Sequence, residues 1–204
     1  MTGADSRAGA PDARPCPTCG GRHLDLATAM GSLSPHAWDV ASAAQRDAGE
    51  LTDDVCFLPD ADADGPHGPH GPHGADAPAQ GTSYFLRGEV ALPVRDAGDV
   101  TSFSWSVWVL LSGESLELLF EHWEDPDRAD RVPPVFGLLA SELPYEPSTL
   151  DLRAVVHTRE PGLVPRIEVE RTEGEPHPLA REQAEGITWH RVAELNEAVY
   201  GELH

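Results

Sequence analysis

Hydrophobic and polar positions alternate most regularly over residues 103–111, where Phe103, Trp105, Val107, Val109 and Leu111 are apolar and Ser102, Ser104 and Ser106 fall between or before them. A period of two is the pattern of a strand with one face in a core. Residues 84–94 repeat it, with Tyr84, Leu86, Val90, Leu92 and Val94 set against Phe85, Arg87, Glu89 and Ala91. Residues 135–140, 150–156 and 166–170 predict three more strands, the middle one alternating Leu150, Leu152, Ala154 and Val156 with Asp151, Arg153, Val155 and His157. After Ser112 the period changes. Leu116, Leu119, Phe120 and Trp123 share one face of a helix that Ser112 caps and Pro126 ends, with Glu117, Glu121 and Glu124 turned outward. An earlier helix is predicted from Ser34-Pro35 to Gly49, and two later ones follow His177 and Thr188, the last carrying Val192, Leu195 and Val199 on one side. Strands joined by short turns favour antiparallel pairing. The expected fold is therefore α+β, a mainly antiparallel sheet of about five strands with flanking helices.

Composition bounds this core rather than extending it. The chain has 204 residues with 19 Gly and 19 Pro, and these cluster. Residues 1–14 read as a disordered tail, and residues 58–82 as a low-complexity insertion inside a single domain spanning 15–203. The insertion holds three Gly-Pro-His units with His67, His70 and His73. In an extended chain those imidazoles stand roughly 9 Å apart, too far to share one ion without a bend. A solvated linker is the expected role, with transition-metal chelation as the other reading.

Charge excludes two classes of partner. The formal net charge is −21, from 35 acidic and 14 basic residues, and every basic residue is Arg. Such a field repels nucleic-acid phosphates and anionic membrane surfaces, and suits a basic protein partner instead. No segment has the apolar run of a signal peptide or a membrane span, which points to the cytoplasm.

Candidate chemistry begins with Cys16-Pro17-Thr18-Cys19-Gly20-Gly21-Arg22-His23. A CxxC turn brings two thiolates within reach of one ion, and Gly20 supplies the backbone freedom such a knuckle requires. With His23 and the third cysteine, Cys56, it offers a Cys₃His set for a structural zinc ion, with Asp53, Asp54 and His36 competing for the fourth place. The competing reading is two surface thiols and one buried thiol. A second group is basic: Arg87, His157, Arg159, Arg166 and His177 could converge on a carboxylate or phosphate. The competing reading, which the 35 acidic residues favour, is internal ion pairing, or a helix cap in the case of His177. Motifs for a nucleophilic Ser, a metalloprotease helix or a phosphate loop are missing. The expected function is a binding or interaction domain without its own catalysis, stabilised by zinc; the alternative is an enzyme or sensor for a small anionic ligand.

Several segments together resemble an uncharacterised bacterial family catalogued as domain of unknown function 2199. They are CPTCGGRH, Asp54-Val55-Cys56, Tyr84-Phe85-Leu86-Arg87-Gly88, Trp105-Ser106-Val107-Trp108-Val109, Phe136-Gly137-Leu138-Leu139, Leu143-Pro144-Tyr145, His157-Thr158-Arg159 and His177-Pro178-Leu179-Ala180 with Gln183 and Gly186. The resemblance implies one compact domain and no particular activity. The polar tail and the Gly-Pro-His insertion depart from the family pattern, which places them at its periphery.

Overall fold

The computed structural model describes residues 16–23, 25–60, 81–172 and 174–201. The expected tail and the Gly-Pro-His histidines lie outside the described residues.

The long alternating stretches form a hairpin, β4 (Thr82–Ala97) and β5 (Val100–Leu111), in register from Tyr84↔Leu111 to Pro93↔Ser102. Strands β6 (Val135–Leu139), β7 (Arg153–His157) and β8 (Arg166–Val169) continue antiparallel from β5, and β8 returns to pair with β4. The five strands expected from the sequence thus close into a barrel. A ring with an odd number of strands cannot alternate throughout, and the parallel pair is β4 with β8, at Glu89↔Arg166.

Three strands absent from the sequence expectation extend this ring. β1 (Ala29–Gly31) pairs in parallel with β5, β3 (Val55–Pro59) pairs antiparallel with β4, and β2 (Glu50–Leu51) pairs with β3. The architecture is α+β as expected. Among the described residues the sheet differs from the expected one, having eight strands, a closed barrel and two parallel strand pairings. Short strands of two to five residues carry too few positions to show a period.

The inward side chains Phe103, Trp105, Val107, Val109 and Leu111 are buried against Leu86, Val90, Leu92, Ala154, Val156 and Ile167. A smaller cluster forms on the other face of β5, where Trp108 meets Cys56, Leu58, Phe85 and Ala140. It is covered by α1 (His36–Val40), which brings Ala37 and Trp38. The single helix expected up to Gly49 is broken at Ala41, and α2 (Ala43–Ala48) restarts under a capping box between Ser42 and Gln45. α3 (Gly113–Glu121) starts at the predicted Ser112 cap and buries Leu116 and Leu119, while Phe120 stays partly exposed. The short α4 (Arg128–Arg131) follows.

Arg128 is buried and, among the described residues, has no carboxylate partner. Its guanidinium donates to the carbonyls of Trp123, Arg159, Glu160 and Leu163 and lies 4.5 Å from the centre of the Trp123 ring. The charge is solvated by peptide dipoles and an aromatic face in place of water.

Two helices close the chain, α5 (Pro178–Glu185) and α6 (Trp189–Tyr200). His177 caps α5, with Nδ1 accepting from the Leu179 N–H. From the next turn Gln183 reaches β8, accepting from Val169 N–H at 2.9 Å and donating to the Ile167 carbonyl at 2.7 Å. Its amide takes the place of a strand peptide on the β8 edge. Gly186, at φ 76°, lets the chain turn against β4, where a Cβ would approach the Pro93 carbonyl to 2.8 Å.

Candidate metal centre

The knuckle is built by its own backbone. Gly20 N–H donates to the Cys16 carbonyl at 2.8 Å, Cys16 N–H donates to the Gly21 carbonyl at 2.7 Å, and Gly20 takes φ 73°. This closure turns both sulfurs to one side. Gly21 N–H donates to Cys19 Sγ at 3.4 Å, and the Cys19 N–H beside the Cys16 sulfur holds that thiol below the usual cysteine range. The contact at Cys16 favours its thiolate.

His23 Nε2 stands 3.3 Å from Cys19 Sγ and 3.2 Å from Nδ1 of His190. The ligand atoms of Cys16, Cys19, His23 and His190 all lie within 4.8 Å of one another. Metal bonds of roughly 2.3 Å to sulfur and 2.0 Å to nitrogen in a tetrahedron put neighbouring donors roughly 3.3 to 3.8 Å apart. The His23–Cys19 and His23–His190 edges, at 3.3 and 3.2 Å, are close to that. His190 Nε2 lies 3.4 Å from Glu194 Oε1, which sets a carboxylate behind the imidazole while Nδ1 faces the centre.

His190 is positioned by the first turn of α6. Thr188 caps the helix by accepting from Arg191 N–H at 3.2 Å, and Trp189 N–H donates to Asp96 at 2.6 Å. The Trp189 indole then donates to the His23 carbonyl at 3.1 Å, which ties the knuckle to the helix independently of any ion. Farther along α6, buried Asn196 accepts from Ala27 N–H at 2.9 Å and donates to the Ala27 carbonyl at 3.0 Å.

Three of the four residues expected as ligands, Cys16, Cys19 and His23, are brought together here; Cys56 is placed elsewhere. It sits in β3 among Leu58, Phe85 and Trp108, where burial pushes its thiol up to about 12. A thiolate ligand would be poorly solvated in that setting. His190 takes the fourth position. Its separation from His23 by 167 residues explains why spacing did not find it; the only sequence signal was a two-Cys, one-His knuckle needing a fourth donor.

The basic group is distributed. Arg87 donates to Ser106 Oγ at 2.7 Å and the Asp53 carbonyl at 3.2 Å. Arg159 pairs with Glu89 at 3.1 Å and His157 with Glu168 at 3.2 Å. Arg166 is exposed on β8, in register with Glu89 and His157. His177, on α5, bonds the Pro147 carbonyl through Nε2 at 2.8 Å while its Nδ1 caps the helix. Four of the five already bond protein groups.

A polar chain continues inward from His190. Glu194 also accepts from Arg191 at 3.0 Å, Arg191 donates to Glu182 at 2.8 Å, and the Tyr145 hydroxyl donates to Glu182 at 2.7 Å. Burial, then the neighbouring Glu182 charge, raises the Tyr145 phenol above its ordinary value and keeps it a donor. Among the described residues, no buried side-chain nitrogen or oxygen is without a hydrogen-bond partner.

Fold and centre together define an α+β barrel domain with a Cys₂His₂ cluster joining its N-terminal knuckle to its C-terminal helix. The chain belongs to a family described as an uncharacterized protein conserved in bacteria (DUF2199), which matches residues 15–187. His190 lies three residues past that match. No curated protein and no solved structure matches the chain. Among the described residues, no helix is long and apolar enough to cross a membrane.

Proposed function

We propose that this chain is a binding domain without catalysis of its own, pinned by one structural zinc ion at Cys16, Cys19, His23 and His190. The observation that carries the reading is the convergence of two sulfur and two imidazole donors from distant segments, with Glu194 behind one imidazole. A mixed sulfur and nitrogen set suits zinc and disfavours magnesium or calcium, which take oxygen ligands. Four protein donors leave no open position for substrate, so the ion's role is structural.

The net charge of −21 suits a basic protein as partner and opposes nucleic acid or an anionic membrane. A sensor or enzyme for a small anion is the lesser reading, because Arg87, His157, Arg159 and His177 already bond protein groups.

The test is metal content with thermal melting. Purified protein carries close to one zinc per chain, and Cys16→Ser lowers both zinc content and melting temperature. Metal-free protein of unchanged stability would refute the zinc reading. Affinity capture eluted with rising salt checks the partner, with a cationic protein released at moderate salt as the expected outcome.

A further inference from the structure

Residues 16–23 and 25–32 form a strap held mainly by polar contacts, the last of them the Trp108 indole donating to the Ser32 carbonyl at 3.3 Å. At one end is the Cys₂His₂ cluster; along the middle, Trp189 and Asn196 of α6 hold the backbone at His23 and Ala27. At the far end β1 pairs with β5. That pairing is framed by Ser104 N–H donating to the Thr28 carbonyl at 2.9 Å and Ser32 N–H donating to the Ser106 carbonyl at 3.2 Å.

Apolar burial in the strap is thin. Met30 is its one large apolar side chain buried in the core among the described residues, with Leu26 and Ala27 only partly covered. A three-residue strand with one such anchor does not offset the entropy of ordering the whole segment. The polar attachments and the ion must supply the difference.

We infer that metal occupancy and the pairing of β1 with β5 form one linked equilibrium, the ion serving as the pin of a latch over the Ser104–Ser106 edge of β5. This rests on the metal site proposed above. Withdrawing the ion removes the strongest of the strap's attachments; the remaining bonds from Trp189 and Asn196 then break in a local opening, while the barrel, which buries its own core, persists. Linkage is reciprocal: whatever loosens β1 must weaken the metal by the same factor. Gly31 allows this to be tested from the far end. A Cβ at position 31 would fall 2.1 Å from the Ser106 carbonyl oxygen, so Gly31→Ala forces β1 away from β5 without altering a ligand.

The experiment combines amide hydrogen exchange of the full chain, zinc-loaded and chelator-stripped, with zinc titration against a chromophoric chelator for wild type and Gly31→Ala. Expected are exchange at least tenfold faster in the strap and at Ser104–Ser106 on stripping, unchanged protection at Val90 and Leu92, and zinc affinity at least tenfold weaker in Gly31→Ala. Zinc bound at one per chain with unchanged strap exchange and equal affinity in the variant would overturn the latch while leaving the metal site standing. Uniform loss of protection on stripping would also overturn it, the ion then being required by the whole fold. Failure to bind zinc at all would remove the metal site, and the latch with it.

Discussion

The barrel and the strap beside it share β5 but are held by different forces. Along the barrel, Phe103, Trp105, Val107, Val109 and Leu111 sit in a continuous apolar core closed by pairing on both sides of the ring. Along the strap, one buried Met30 accompanies a series of polar contacts to α6 and a cluster of four metal-type donors. Apolar packing is nondirectional and tolerates solution changes, whereas a donor cluster fails when one donor is lost or a chelator competes. With the proposed ion in place, the stability that depends on conditions falls at the strap and not in the sheet.

The largest effect that would break this contrast lies in the barrel. Trp105 is buried, with its indole 3.4 Å from the Tyr145 hydroxyl and its ring edge-on to Phe103. Trp105→Ala should cost about 3–5 kcal/mol, seen as a lower denaturation midpoint with or without zinc. A cost present only in the zinc-loaded protein would mean that the barrel too depends on the ion.

Next is Arg128, the buried cation held by four carbonyls. Arg128→Met keeps the stem and removes the donors, leaving carbonyls of the 159–163 loop without them. A loss of about 3 kcal/mol in chemical denaturation is expected, again independent of metal.

A smaller and more local effect is expected at Glu194. Glu194→Gln keeps the shape of the side chain beside His190 but removes the charge that makes the imidazole a better ligand. Zinc affinity should fall roughly tenfold in chelator competition. The midpoint of the metal-stripped protein should stay where it is, which separates support of the ion from support of the fold. A change in that midpoint instead would assign Glu194 to the Arg191–Glu182–Tyr145 chain.

These regions also differed in how far they could be read from sequence. The barrel strands announce themselves because each of the five has alternating or continuous apolar positions, and Ser112, His177 and Thr188 mark helix starts that the structure retains. Closure was not legible, since whether β8 returns to β4 depends on the sheet's path through space. β1 was missed because three residues of Ala-Met-Gly have no period. The knuckle was visible from CxxC spacing, but its fourth donor was not: a histidine in the first turn of α6 looks like any helix residue until the fold brings it to His23. Cys56 drew attention as the remaining cysteine, though its neighbours Val55, Phe57 and Leu58 describe a buried strand.

Cys56 gives the smallest and sharpest separation of the two regions. Its thiol is held up to about 12 by burial, while an unfolded chain ionises the same group near ~8.5. Between those values the unfolded state has released a proton that the native state keeps, so ionisation favours unfolding and stability falls as pH rises. Tyr145, raised by burial and by Glu182, adds a fall of the same sign once the unfolded phenol ionises near ~10. Cys56→Ala removes the first contribution. It should cost about 1 kcal/mol at neutral pH through lost packing, and then lose less stability than wild type between about pH 8 and 10, the two curves crossing at about pH 9. Denaturation midpoints measured across that range with zinc present would show it. Zinc content should remain at the wild-type value throughout, because the residue belongs to the apolar cluster under α1 and not to the donor set; a variant that lost its zinc would return Cys56 to the metal centre.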